Sequence, residues 1–413
     1  MIRRSRTWNS LLLGLFLQIG VAAAEEHQPS VDTQSNSEIH TAPATENAEP
    51  LISPPVTPAV IGDIRLLFSL QDRAADGNRE TVQLQKALLS QIGRELTEDI
   101  QKLQPNAIAE SVAGFVLSGG SPAIAERLMM REGLSNRNRK LLEGSALFMR
   151  GKRKDSLQTL QGLDVLQLRP SVSGRLALAE AIATTDDSEL QQSLFAIAIA
   201  TMPGTLVEES SLRRSALAYA QADNQNQFWR RTFRYQRRFS KSIYAADFPQ
   251  VSLESAVRFE KSGREMDRAK TDLFLGVMPA AKRRSLYLHL ARLAVQLNHQ
   301  KLLTFAAARL QRLAVPGGQE AQIAELYMSI FNVAAGDPSQ AADRLTKLSP
   351  ALLPDLERSL LEAALTVVGE VQRPLQTRDI VLASADAPEL IGLRALVDTA
   401  LRAADNVVEG SRQ

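Results

Sequence analysis

Apolar residues along most of the chain recur at intervals of three, four and seven positions, which is the spacing of one helix face. The first two such stripes are Ile64, Leu67, Phe68 and Gln71, followed by Leu84, Leu88, Ile92 and Leu96. Runs of β-branched residues long enough to form a sheet do not occur in the sequence. The pattern therefore predicts an all-α protein.

Helix starts recur with their capping chemistry. Ser121-Pro122 and Asp337-Pro338 each place a side-chain oxygen before a proline, which suits the first helical position because no amide hydrogen is needed there. Thr205 and Glu208 have the spacing of a capping box and follow the helix-breaking pair Pro203-Gly204. These positions predict where individual helices begin.

The predicted helices also repeat in pairs. One pair spans residues 110–131, with a break near Gly119-Gly120 and with Ala125 and Met129 facing inward. Three further segments have small residues, then an inward residue, then a proline: Gly144, Gly151, Ser156, Leu160, Leu163 and Pro170; Ala179, Asp186, Phe195, Ala198 and Pro203; Gly336, Ala341, Leu345, Leu348 and Pro350. This is a degenerate tetratricopeptide pattern, since most aromatic positions of the first helix are missing. It predicts an α-solenoid of tetratricopeptide-like helical hairpins; an irregular helical bundle is the alternative.

Residues 1–24 have the composition of a secretory signal peptide. Arg3, Arg4 and Arg6 precede an apolar run from Leu11 to Val21, and residues 22–24 are alanines that suit a signal peptidase. The run has about eleven residues, whereas a bilayer span needs about 20. A retained amphipathic anchor is the alternative. No later stretch is long and apolar enough to span, so we expect an exported protein with no transmembrane segment after signal cleavage.

Residues 25–60 are expected to be a disordered acidic tail, and residues 61–413 the helical repeat domain. The tail contains six prolines and six acidic residues, with no aromatic residue, Lys or Arg. The formal net charge of +2 falls to about −1 without the signal, and residues 61–413 carry about +5. This balance does not indicate nucleic-acid binding.

The motifs that carry common catalytic chemistries are absent from the sequence. There is no cysteine, and the four histidines (His27, His40, His289 and His299) lack zinc-ligand spacing, so we expect no metal or cofactor. Nucleophile-elbow, metalloprotease and phosphate-loop motifs are missing. Glu110, Glu209 and Glu254 each precede Ser, as in lytic transglycosylases, but none is followed by that family's saccharide-binding segment. The sequence therefore predicts no catalytic residues and no enzyme.

One segment, residues 228–241, combines aromatic and basic residues without an acid. At 100° per residue, Phe228, Trp229, Phe233, Tyr235 and Phe239 fall within about 160° of a helix. The other side carries the cations Arg230, Arg231, Arg234, Arg237, Arg238 and Lys241. The aromatic face is expected to be buried and the basic face to lie outward. The basic face is either a solvated surface balanced by neighbouring acids or a binding surface for an acidic partner or the anionic envelope.

Several runs of the sequence resemble MotC, a motility protein family of rhizobia and their relatives. They are residues 70–77 (LQDRAADG), 142–147 (LEGSAL), 202–214 (MPGTLVEESSLRR), 235–239 (YQRRF) and 242–248 (SIYAADF). The resemblance covers most of residues 64–260 and is thinner beyond. It implies a periplasmic protein needed for flagellar rotation that binds the periplasmic domain of the stator protein MotB.

Two functions remain open at this point. The first is a non-catalytic periplasmic motor adaptor, with the six cations of residues 230–241 as its candidate contact. The alternative is an envelope protein that regulates or carries out peptidoglycan processing, suggested by export combined with an α-solenoid.

Overall fold

The computed structural model describes residues 59–335 and 337–372. The predicted signal peptide, almost all of the predicted acidic tail and residues 373–413 lie outside these ranges. The first described helix begins at Ala59, two residues before the predicted start of the helical domain. The described residues form seventeen α-helices, two short 3-10 helices and no strand, which confirms the all-α prediction.

The described chain divides into two compact units, 59–74 with 78–208 and 75–77 with 209–372. The helices of the first unit are α1 Ala59–Ala75, α2 Thr81–Asp99, α3 Pro105–Leu117, α4 Pro122–Met129, α5 Asn136–Met149, α6 Arg153–Leu160, α7 Pro170–Ala183 and α8 Ser188–Thr201, with a 3-10 helix at Val165–Gln167. α9, Leu206–Gln221, crosses the boundary between the units. The second unit continues with α10 Gln225–Phe239, α11 Phe248–Lys261, α12 Arg268–Gly276, α13 Ala280–Gln296, α14 Gln300–Leu313, α15 Gln319–Ala335, α16 Pro338–Leu345, a 3-10 helix at Pro350–Leu352, and α17 Asp355–Gln372.

Each unit is a stack of helical hairpins. In the first unit, α3 packs on both α5 and α7, and α4, α6 and α8 each pack on a neighbour from these three helices. In the second unit, α11, α13, α15 and α17 form a row in chain order, against which α14 and α16 pack. Because most of these contacts join helices that are close in sequence, the packing is consistent with a helical repeat.

The predicted small residues allow close approach between helices. A Cβ atom at Gly144 of α5 would lie 2.4 Å from Cγ of Leu160 on α6. The Ser156 hydroxyl on α6 also donates a hydrogen bond of 2.8 Å to the Gly144 carbonyl. Gly144 therefore lets α6 approach the α5 backbone, as the repeat pattern predicts.

The predicted helix starts are largely confirmed. The Asp337 carboxylate accepts hydrogen bonds from the amides of Ser339 and Gln340. In the capping box, Thr205 Oγ1 accepts from the Glu208 amide at 3.4 Å, while Glu208 accepts from the Gly204 amide at 2.7 Å. Ser121 precedes α4 as predicted, but its side chain makes no capping hydrogen bond.

One predicted core position is wrong. Leu88, Ile92 and Leu96 are buried, but Leu84 is 55% exposed. In the same turn Thr81 is buried instead, and its hydroxyl donates a 2.7 Å hydrogen bond to the Asn78 carbonyl. The first turn of α2 thus packs through a polar residue whose hydrogen bond is satisfied locally, which the apolar spacing cannot reveal.

Arg175 on α7 is buried in the first unit. Its guanidinium lies 3.5 Å from the centroid of the Phe68 ring and donates to Ser118 Oγ at 2.8 Å. Burial lowers the pKa of Arg175 to about 10, although the nearby Asp72 carboxylate opposes that shift. The arginine remains charged at neutral pH and links α7 with α1 and with the end of α3.

Glu180, also on α7, gives the first unit a pH-dependent stability. Burial raises its pKa to about 7 from the usual 4.5, so the folded state binds a proton more tightly than the unfolded chain. The stabilisation is complete below pH 4.5 and is lost as the pH rises towards 7. Lowering the pH from 8 to 5 should therefore stabilise the unit by about 2 kcal/mol, as measured by urea unfolding.

Glu180→Gln should remove most of this pH dependence. The control is Glu143→Gln, which changes an exposed glutamate of α5 in the same unit and should leave the dependence unchanged. Equal pH profiles for wild type and Glu180→Gln would contradict the assignment.

Glu357 of α17 is a buried carboxylate in the second unit. Its side chain is 1% exposed, and Oε1 accepts hydrogen bonds from Arg292 Nη2 of α13 at 2.7 Å and from the Tyr327 hydroxyl of α15 at 2.8 Å. Burial and the carboxylate raise the pKa of Tyr327, so its hydroxyl remains a donor. The three side chains connect α13, α15 and α17, which are successive members of the row in the second unit.

Candidate partner-binding surface

The aromatic side of α10 is buried as predicted. Phe228, Trp229, Tyr235 and Phe239 are buried, whereas Phe233 is half-buried. The Trp229 ring lies 6.0 Å from Phe274 of α12, measured between centroids. Aromatic packing against α11 and α12 therefore fixes which side of α10 faces the interior.

A buried hydrogen bond further fixes the rotation of α10. The Tyr235 hydroxyl donates to Oε1 of Glu209 on α9 at 2.7 Å, and Arg213 Nε lies 3.6 Å from the same oxygen. Burial and the Glu209 carboxylate raise the pKa of Tyr235, which keeps the hydroxyl protonated as a donor. Rotating α10 would break this contact and leave a fully buried carboxylate with fewer partners.

The basic face of α10 lies opposite this anchor. Arg230, Arg237, Arg238 and Lys241 are exposed, while Arg231 and Arg234 are half-buried. Nε of Arg231 is buried without a hydrogen-bond partner among the described residues. Of the six predicted site residues, four are therefore at the surface and two lie at its edge.

Three of the exposed cations lie close together in sequence, and we call them the basic stripe. Arg230 and Arg237 are seven residues apart, so they fall within about 20° of one another around α10, and Lys241 follows two residues after α10 ends at Phe239. None of the three has an ion pair with a described residue. This stripe is consequently available to acidic groups of another molecule.

The glutamates of the three Glu-Ser pairs have structural contacts. Glu110 accepts from Arg169 at 2.9 Å and Arg137 at 3.3 Å, and these contacts lower the pKa of Glu110 against the opposing effect of burial. Glu254 lies 3.0 Å from Nε2 of His289. Together with the buried Glu209, these contacts assign all three glutamates to helix packing.

His299 caps a helix. Its Nδ1 accepts a hydrogen bond of 3.2 Å from the Leu302 amide at the start of α14, while Nε2 lies 3.1 Å from Glu260. Since Nδ1 accepts, the proton of the neutral ring is on Nε2, where it can be donated to Glu260. This imidazole thus positions α14 against α11.

The sequence reasoning did not find a second group of cations in the same unit. Arg283 of α13 and Arg309 and Arg312 of α14 line one cleft together with Asp272 of α12. These residues are far apart in sequence, so no local pattern indicates that they form a cluster. One available signal was Lys282-Arg283-Arg284, a cationic run at a helix start that has no acid in its first turn.

Across residues 59–335 and 337–372, no three His, Asp or Glu side chains gather as metal ligands. Within the same ranges, no helix has the length and apolar composition required to cross a bilayer.

Comparison with known proteins places these observations in a family. The family model described as "Chemotaxis protein MotC" matches residues 3–409. A relative of that name from Rhizobium meliloti (strain 1021) is 28% identical over 316 residues, which cover 75% of this chain and 72% of the relative. No solved structure matches the chain. Because the family model spans nearly the whole sequence, the chain belongs to the chemotaxis protein MotC family and is a motility-related protein.

Proposed function

We propose that this protein is a non-catalytic periplasmic adaptor of the flagellar motor that binds the periplasmic part of MotB. Membership of the MotC family over residues 3–409 is the observation that carries the proposal. The signal-like residues 1–24 support export, and the structural contacts of the three Glu-Ser glutamates support a role without catalysis.

The basic stripe of α10, formed by Arg230, Arg237 and Lys241, is the proposed contact for MotB. Its cations have no ion pairs with the described residues, and α10 is anchored on both the aromatic and the Glu209 contacts. A rigid helix presenting arginines favours acidic partners, since guanidinium groups bind carboxylates with two parallel hydrogen bonds. Such complementarity accelerates association and makes binding sensitive to salt.

Reversing the charge of the stripe should weaken the complex. We expect Arg230→Glu/Arg237→Glu/Lys241→Glu to bind the periplasmic domain of MotB at least tenfold more weakly, mainly through slower association and with a reduced dependence on salt. Surface plasmon resonance at two salt concentrations measures both effects. In a strain lacking the gene, this variant should restore swimming poorly compared with the wild type.

The matched control is Arg258→Glu/Lys261→Glu/Lys347→Glu, which reverses three exposed cations elsewhere in the same unit. It should bind MotB within about twofold of the wild type and should restore swimming. Equal losses in both triple variants would reject α10 as the contact. Normal swimming of the deletion strain would reject the motor function itself.

A further inference from the structure

A cleft in the second unit lies between α12, α13 and α14. Its volume is about 220 Å³. Its lining includes Asp272, Gly276, Arg283, Tyr287, Arg309 and Arg312. Three arginines against one aspartate give this lining a net charge of +2.

The one carboxylate in the cleft is already compensated. Oδ2 of Asp272 accepts from Arg309 Nε at 3.0 Å and from Nη2 at 2.7 Å. Oδ1 of Asp272 accepts from the Tyr287 hydroxyl at 2.6 Å. Burial and Asp272 raise the pKa of Tyr287, which preserves this donor. Asp272 and Arg309 therefore form a neutral pair, and the excess positive charge belongs to the other two arginines.

Arg283 and Arg312 have no acidic partner among the described residues. Nε of Arg283 is buried and makes no hydrogen bond to a described residue. A buried donor left unsatisfied is unfavourable, so an acceptor supplied by a ligand would stabilise this arrangement.

The cations at the start of α13 are also unfavourably placed unless an anion binds near them. Lys282 and Arg283 lie in its first turn, where the helix dipole disfavours cations, and no acidic residue is present there. The preceding residue, Pro279, provides no side-chain cap. The helix start and the arginine beside the cleft consequently both favour negative charge.

Two exposed apolar residues directly follow lining residues of the cleft in sequence. Leu273 follows Asp272 and Val277 follows Gly276, and they are 64% and 70% exposed. A ligand whose carboxylate enters the cleft would place its neighbouring groups near these two side chains. If those neighbouring groups are apolar, the contact would remove hydrophobic surface of both the ligand and the protein from water.

We propose that this cleft binds a carboxylate side chain of a partner protein that is flanked by apolar residues. Arg283 and Arg312 would hold the carboxylate, and Leu273 and Val277 would contact its neighbours. The identification of the partner as MotB rests on the proposed function, whereas the chemistry of the site does not. The cleft thus provides a second contact besides the basic stripe of α10.

Two short peptides test the chemistry of the cleft without the partner. Acetyl-Leu-Glu-Leu-amide and acetyl-Leu-Gln-Leu-amide are titrated against the purified chain of residues 25–413, and binding is measured by saturation-transfer NMR. The glutamate peptide should bind at least fivefold more tightly than the glutamine peptide. Arg283→Gln/Arg312→Gln should abolish that preference, whereas the control Lys261→Gln/Lys347→Gln, which changes two exposed lysines outside the cleft, should keep it.

The same variants are then measured against the periplasmic domain of MotB. The double arginine variant should bind at least tenfold more weakly than the wild type, and the lysine control should not. Arg312→Gln alone changes an exposed residue and should show an intermediate loss, so the test does not depend on the folding of an Arg283 variant.

The outcomes separate the two proposals. Equal binding of both peptides, or an unchanged preference in the double arginine variant, would overturn the cleft whatever MotB does. If the wild type discriminates between the peptides but does not bind MotB, the cleft stands and the proposed partner is rejected.

Discussion

Arg292→Met should lower the free energy of unfolding of the second unit by about 3 kcal/mol, because it leaves the Glu357 carboxylate buried with only the Tyr327 hydroxyl as a partner among the described residues. Removing one member of a buried ion pair costs far more than the net contribution of the intact pair, since the remaining charge cannot return to water. Urea unfolding followed by circular dichroism gives the value, with the transition of each unit fitted separately.

A double-mutant cycle isolates this effect. Glu357→Gln in the Arg292→Met background should recover most of the loss, because the buried group is then neutral. Lys301→Met is the matched control: its partner Glu265 is exposed, and the change should cost less than about 1 kcal/mol. Additive losses in the Arg292/Glu357 cycle would show that the pair does not hold α13 to α17.

Gly144→Ala and Gly62→Ala should change stability in opposite directions. At Gly144 the new Cβ would lie 2.4 Å from Leu160 Cγ, and we expect a loss of about 2–3 kcal/mol as α6 is forced away from α5. At Gly62, within α1, a Cβ meets nothing within 4 Å, and alanine should add about 0.5–1 kcal/mol by its higher helix propensity.

Both glycines lie in helices of the first unit, so the same measurement compares them directly. Thermal and urea unfolding of the two variants should bracket the wild type. A destabilisation at Gly144 no larger than the change at Gly62 would mean that the α5–α6 crossing tolerates a methyl group. The close approach would then not be what requires glycine in the repeat.

The hairpin pattern was predictable because its signals are local. Apolar spacing, the Asp337 cap and the Thr205/Glu208 box depend on residues within a few positions of one another, and a helix expresses them wherever it is placed. Leu84 shows the limit of this reasoning, because spacing alone could not indicate that Thr81 would be buried in that turn instead.

One of the two candidate binding surfaces was predictable from the sequence and the other was not. The basic stripe lies within one short segment of sequence, so the 100° rotation per residue was sufficient to place Arg230 and Arg237 on one side of α10. The cleft combines Asp272, Arg283 and Arg312 from three helices, and no periodicity connects them. Only the stacking of α12, α13 and α14 brings their charges together.

By itself, the sequence determined the all-α class, the helical hairpins and the outward basic side of α10. The tertiary structure alone decided which charges are compensated. It pairs Arg292 with Glu357 across 65 positions and Arg309 with Asp272 across 37, while leaving Arg283 and Arg312 without acids among the described residues. The physical reason is that Coulomb energy and desolvation depend on distance and burial in space, whereas a sequence records only order along the chain.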